Sequence, residues 1–198
     1  MSTQKSRVNY LAKIAILSAL AYLVHFFEIP LWFAPPFYKI DFSEAIVLIG
    51  AFGLGPLAGV LIEALKIVLN LIFTGTQTAF VGEAANLVIG LSYVLSAAII
   101  YKHNKSKRTA WTGMAIGIVS IVVVGALLNY FVLLPAYSYF YHMPMEALVG
   151  MGAAVNKAVT SAFTLVAFCT VPFNLLKSVL CTLVVGFLYK RVSPLLHR

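Results

Sequence analysis

A succession of long apolar segments constrains this chain more than any other feature of its sequence. Segments such as 8–27 and 79–101 match the length of a helix that crosses a bilayer, which needs about 20 mostly apolar residues. With 62% hydrophobic and only 10% charged residues, the 198-residue chain has more apolar surface than a soluble core can hide. The sequence lacks the short alternating segments of a membrane β-barrel, so we predict an all-α integral membrane protein.

Basic residues at the segment ends predict how the chain lies in the membrane. Positive charge collects at the N-terminus, at 102–108 and at 190–198, and such clusters favour the cytoplasmic side. The net charge of +8 therefore reflects topology and not nucleic-acid binding. Cytoplasmic termini require an even number of crossings. The six predicted transmembrane helices lie at about 8–27, 43–54, 56–73, 79–101, 109–135 and 171–190. We expect one transmembrane domain over 1–198, with 145–170 on the outer side as a surface or re-entrant helix.

The third predicted span contains Glu63, Lys66 and Asn70 at spacings that put them on one helical face. A charge at membrane depth is costly unless it is paired. The spacing therefore favours a structural ion pair between Glu63 and Lys66 over a ligand site.

Other polar residues are predicted to meet in the outer half of the membrane. Asn174 and Lys177 lie on one face near the start of the last span, and Glu83 and Asn86 lie near the start of the fourth. Asn129 is about 27 Å from the cytoplasmic end of its span, at about 1.5 Å per residue. Amides on three helices at similar depth indicate a polar pocket that opens outward.

Aromatic residues flank this predicted pocket. The loop 28–42 contains three prolines, which exclude a straight helix, together with Trp32, Phe33, Phe37 and Tyr38. These rings form either an aromatic belt at the interface or a lid over a planar ligand. Amides supply hydrogen-bond donors and acceptors together. The pocket is therefore predicted to bind a planar, polar small molecule, with sugars and amino acids as alternatives.

The sequence gives little sign of catalysis or metal binding. It has no nucleotide-binding lysine motif and no Ser-His-Asp set, and its histidines lack metal-ligand spacing and are expected at the interface or in solvent. These histidines are His25, His103, His142 and His197. Cys169 and Cys181 are interpreted as packing residues without a disulfide. We predict that the chain is not an enzyme and holds no metal or cofactor; the rival interpretation is a membrane enzyme using Glu63 and Lys66, or a scaffold protein.

The first span carries the small-residue pattern Ala15-x-x-x-Ala19, which lets another helix approach closely, either within the bundle or from a partner. Together with the stretch Phe37-Tyr38-Lys39-Ile40-Asp41-Phe42-Ser43-Glu44, the pair Asn174-x-x-Lys177 and Asn129, this pattern resembles the substrate-binding S components of energy-coupling factor (ECF) vitamin transporters. The resemblance covers the whole chain and is closest to the riboflavin-specific members.

The resemblance implies a bacterial plasma-membrane protein that binds riboflavin from outside and delivers it inward. A transmembrane coupling subunit and two ATPase subunits would be its partners, docked through Ala15 and Ala19, and riboflavin would be the transported ligand. The first loop would act as the gate. The implied substrate-binding residues are Asn129, Asn174, Lys177, Asn86, Glu83, Tyr38, Phe37 and Asp41. Another vitamin, such as thiamine or a pyridoxine-like compound, is the alternative substrate, although Lys177 disfavours a cation.

Overall fold

The computed structural model describes residues 2–76 and 78–196, with side chains for 4, 7–76 and 78–189. His197 and the basic side chains of 190–198 lie outside the described residues. The helices are α1 (Ser2–Phe26), α2 (Ser43–Leu54), α3 (Pro56–Phe73), α4 (Val81–His103), α5 (Lys107–Leu128), α6 (Leu134–Phe140), α7 (Met145–Val155), α8 (Ala162–Leu165) and α9 (Val171–Leu196). The strands are β1 (Ile29–Pro30) and β2 (Lys39–Ile40), and two π-helical turns span Asn129–Leu133 and Val166–Thr170.

Five helical segments of the described chain are long and apolar enough to cross a membrane. These are Arg7–Phe26, Pro56–Phe73, Val81–His103, Lys107–Phe140 and Ala162–Tyr189. The sixth predicted span is the 12-residue α2, which is about 18 Å long at about 1.5 Å per residue and shorter than a bilayer core of about 30 Å. An all-helical membrane architecture is therefore confirmed, but length and composition alone support only five spans.

Two of the predicted span boundaries are wrong, and both errors involve proline. The fifth segment continues past Pro135 to Phe140, and the last begins at Ala162, well before Pro172. In each case a π-helical turn comes just before the proline. A proline cannot donate a backbone hydrogen bond, and the wider π-turn accommodates this loss without ending the helix.

The segment 145–170 was predicted as one outer element and is instead divided. Its first part is the separate helix α7, and its second part begins the last long segment. Ser161 starts that segment with a capping box, in which its hydroxyl accepts from the Thr164 backbone N–H and Thr164 returns a bond to the Ser161 backbone. These paired bonds satisfy backbone donors that a helix start leaves free.

The loop between α1 and α2 contains the described strands, which sequence analysis did not predict. β1 and β2 pair antiparallel, with Ile29 opposite Ile40 and Pro30 opposite Lys39. The bulk of the chain remains helical, so the fold is α-helical with one small hairpin. The pairing returns the loop toward the bundle and brings Tyr38 and Asp41 into the protein interior.

The short helix α2 lies at the centre of the bundle. It contacts α1, α3, α4 and α9, and nine of its 12 residues are buried. Beside it, α4 and α5 pack closely because Gly113 and Gly117 bring α5 onto the backbone of α4; a Cβ at Gly113 would lie 2.7 Å from the carbonyl oxygen of Ala97. Helix α2 therefore presents its first residues to the centre of the protein.

Candidate functional site

A cavity of about 650 Å³ lies at one end of the bundle. It is bounded by the end of α1, the first loop, the α3–α4 connection, the start of α4, the α5–α6 segment and the start of α9. A cavity of this size can hold a drug-sized molecule. All eight predicted substrate-binding residues line it: Phe37, Tyr38, Asp41, Glu83, Asn86, Asn129, Asn174 and Lys177. The predicted convergence of amides from three helices is confirmed, whereas the roles of these residues toward a ligand stay a prediction.

The amides of α5 and α9 meet where the two segments approach closely. Asn129 donates from Nδ2 to the carbonyl of Gly125 at 2.8 Å, and Asn174 donates to the carbonyl of Thr170 at 3.0 Å. A Cβ on Gly125 would lie 2.7 Å from Nδ2 of Asn174, so this position tolerates only glycine without displacement of the amide. These bonds orient both amides beside the cavity.

Tyr38 ties the first loop to both π-helical turns. Its hydroxyl donates to Oδ1 of Asn129 at 2.9 Å and lies 2.5 Å from Oγ1 of Thr170, and each partner belongs to one π-turn. Its ring packs against Phe37 and Phe173, with centroids 4.7 and 5.1 Å away. Burial raises the pKa of Tyr38 above its ordinary value, so the phenol stays protonated and donates.

A chain of buried ionisable groups with alternating charge forms the base of the cavity. Lys66 Nζ lies 2.7 Å from Glu63 Oε1 and 3.4 Å from Glu44 Oε1. Lys177 Nζ lies 3.2 Å from Glu44 Oε2 and 2.9 Å from Asp41 Oδ2. The predicted pair Glu63–Lys66 is confirmed, and both of its side chains are fully buried. The pair belongs to a network that links α3, α2, α9 and the first loop.

Lys177 is held by this network and faces the cavity at the same time. An ammonium group has three N–H donors, and the contacts with Asp41 and Glu44 account for two of them, which leaves one for a ligand. Burial disfavours the charged form of Asp41, but the Lys177 ammonium and His25 outweigh it and hold the pKa of Asp41 well below its ordinary value. The pair is therefore an internal ion pair beside the cavity and not a free charge.

Glu83 and Asn86 are carried by the first turns of α4. Oγ1 of Thr78 donates to Glu83 Oε2 at 2.6 Å and accepts from the backbone N–H of Gly82 at 3.0 Å. This bridge fixes the Glu83 carboxylate at the cavity wall. Sequence analysis anticipated the position of both residues but not the threonine that orients the carboxylate.

Three residues at the site were not predicted from the sequence. His25 was expected at the interface or in solvent, but it is buried, and its Nδ1 lies 3.4 Å from Asp41 Oδ2; this prediction is wrong because the hairpin brings Asp41 to the end of α1. Thr170 and Phe173 both contact Tyr38. Thr170 lies four residues before Asn174, so extending the helical period by one turn would have identified it.

The small-residue face of α1 points away from the bundle. Ala15 and Ala19 are exposed, whereas Ser18, which was grouped with them, is buried and bonds to the carbonyl of Ile14. Of the two predicted roles, packing within the chain is excluded for Ala15 and Ala19 by their exposure. Cys169 and Cys181 are buried free cysteines, as predicted.

The sequence matches the family described as "ECF transporter, substrate-specific component" over residues 9–189. This chain belongs to that family. Like the substrate-specific components in general, it is therefore a multi-pass cell-membrane protein of a transport system and not an enzyme.

Known relatives extend over nearly the whole chain. The substrate-specific component is 33% identical to "Riboflavin transporter RibU" of Staphylococcus aureus (strain TCH60), covering 95% of this chain and 92% of the relative. It is 29% identical to "Riboflavin transporter FmnP" of Bacillus subtilis (strain 168), covering 95% and 94%. A solved structure of the S component of a bacterial ECF transporter matches with a TM-score of 0.74 at 32% identity, covering 97% of this chain and 99% of the solved chain.

Proposed function

We propose that this substrate-specific component binds riboflavin in the cavity at the end of the bundle. The observation that carries the proposal is that relatives named riboflavin transporters match almost end to end. The chemistry of the cavity agrees, because riboflavin combines a flat heterocycle with a chain of hydroxyl groups. The aromatic rings of Phe37 and Tyr38 suit the heterocycle, and the amides of Asn86, Asn129 and Asn174 suit its polar edge or the hydroxyls.

We further propose that residues 1–198 form one transmembrane domain with six crossings, and that α2 is a short central one. The termini are cytoplasmic and the cavity faces outside. The basic connection between α4 and α5 supports this orientation, since Lys102 and Lys105 lie at the opposite end of α4 from Glu83 and Asn86. Riboflavin then enters from the outer side, beneath the first loop.

Delivery requires partners, and we propose a coupling subunit with two ATPases that docks on α1. Ala15 and Ala19 offer an exposed surface of small side chains, which a partner helix can approach closely. The neighbouring Leu11, Ile16 and Leu23 are also exposed and apolar. This face is therefore suited to a partner helix as well as to lipid.

The absorption spectrum of the chain purified in detergent tests the proposed substrate. A bound flavin gives the protein a yellow colour, and the flavin should be released on denaturation in near-stoichiometric amount. Titration with added riboflavin should quench the fluorescence of the flavin. A colourless protein that also fails to take up added riboflavin would overturn riboflavin as the ligand and leave family membership untouched.

A further inference from the structure

The charged side chains that line the cavity carry an excess of negative charge. The acidic members are Glu28, Asp41, Glu44 and Glu83, and the basic ones are Lys39 and Lys177. Four carboxylates against two ammonium groups leave a formal charge of −2 on the described lining, with His25 neutral. Glu63 and Lys66 behind the wall offset each other and do not change this balance.

Most of these carboxylates are paired with cations. Glu28 forms an ion pair with Lys39, and Lys177 lies between Asp41 and Glu44. Glu83 differs, because within residues 4, 7–76 and 78–189 no cationic group lies within ion-pair distance of its carboxylate. Its identified partner is the neutral hydroxyl of Thr78.

We propose that Glu83 makes the cavity select neutral over anionic forms of its ligand, and in particular reject a phosphorylated flavin. This inference rests on the proposed riboflavin function and adds a specificity determinant to it. Thr78 holds the carboxylate at the wall at the start of α4, so Glu83 acts from a fixed position.

The selection follows from charge and hydrogen-bonding capacity together. The hydroxyl groups of a neutral side chain donate hydrogen bonds, and the Glu83 carboxylate accepts them. A phosphate ester carries a charge of about −1.5 to −2 near neutral pH, and its ionised oxygens accept hydrogen bonds. It therefore meets Glu83 acceptor to acceptor, with repulsion between like charges that the partly buried site screens poorly.

The test compares the dissociation constants of riboflavin and riboflavin 5′-phosphate for the full chain, measured by flavin fluorescence quenching. The native protein should prefer riboflavin. The E83Q variant keeps an acceptor but loses the charge, and it should narrow the ratio of the two constants by about tenfold. The matched control is E146Q, because Glu146 is an exposed carboxylate on α7 outside the cavity lining, and it should leave the ratio unchanged.

Two further readouts separate selectivity from a structural effect. Raising the salt concentration should narrow the ratio in the native protein more than in E83Q, since ions screen the repulsion. An unchanged ratio in E83Q, an equal loss of both ligands, or the same change in E146Q would each overturn the role of Glu83 while riboflavin binding stands. Failure of the native protein to bind riboflavin would overturn the proposed function and this inference together.

Discussion

Replacement of Lys177 with methionine removes the ammonium group that separates two buried carboxylates. Its Nζ lies 2.9 Å from Asp41 and 3.2 Å from Glu44, and all three side chains are buried. Methionine approximates the length of the side chain, so the substitution chiefly removes charge. Glu44 keeps Lys66 as a partner at 3.4 Å, whereas Asp41 keeps only His25 among its neighbours in the ion chain.

Loss of one partner from a buried ion pair costs about 3–5 kcal/mol, mostly because the remaining charge stays buried without compensation. For a chain of this length, each kcal/mol lowers the melting temperature by about 2–4 °C. We therefore expect Lys177→Met to lower the melting temperature of the ligand-free protein by about 6–20 °C. Riboflavin binding should weaken as well, since the remaining ammonium donor is lost.

The assay is thermal unfolding in detergent of Lys177→Met, Asp41→Asn and the double variant. The asparagine can still accept the backbone N–H of Ser43, which Asp41 accepts at 2.8 Å, and it leaves no charge opposite the methionine. The double variant should therefore lose much less stability than the two single losses added together. The matched control is Lys39→Met, which breaks a partly exposed pair with Glu28 and should cost at most about 1 kcal/mol. Additive losses, or an equal effect of Lys39→Met, would refute the reasoning.

Three further substitutions test the loop, the docking face and the amides. Tyr38→Phe removes the donor to Asn129, which should cost about 1–3 kcal/mol and speed riboflavin release in stopped-flow fluorescence; an unchanged release rate would separate the Tyr38 bond from ligand retention. Ala19→Trp places a bulky ring on the exposed face of α1 and should abolish co-purification with the coupling subunit while riboflavin still binds; a complex that persists would contradict docking there. Gly125→Ala pushes a methyl group against Asn174 and should weaken riboflavin binding about tenfold in a fluorescence titration; an unchanged constant would remove the Asn174 amide from the ligand site.

The helical class and the polar residues of the site were predictable because both depend on local sequence. Runs of apolar residues report membrane helices directly, since each helix satisfies its own backbone. The predicted site residues were found because polar groups are rare at membrane depth, so Asn129, Asn174 and Lys177 were conspicuous in apolar surroundings.

Helix boundaries near prolines were less predictable. Proline ordinarily ends a helix, so the sequence suggested breaks at Pro135 and Pro172. The structure instead continues through π-turns, which place Asn129 and Thr170 where both contact Tyr38. The helical pattern around these prolines does not reveal whether a helix ends or widens, because that choice depends on what the displaced turn contacts.

The sequence alone determined that the chain is a membrane protein, that its charges are few, and that Glu63 pairs with Lys66 one turn away. Only the tertiary structure decided that Lys177 pairs with Asp41, a residue 136 positions earlier in the chain, and that Glu44 connects the two ion pairs. The reason is physical: hydropathy and pairing within a turn act over a few residues. The partner of a buried charge, by contrast, depends on which distant segments pack together and exclude the solvent that would otherwise screen it.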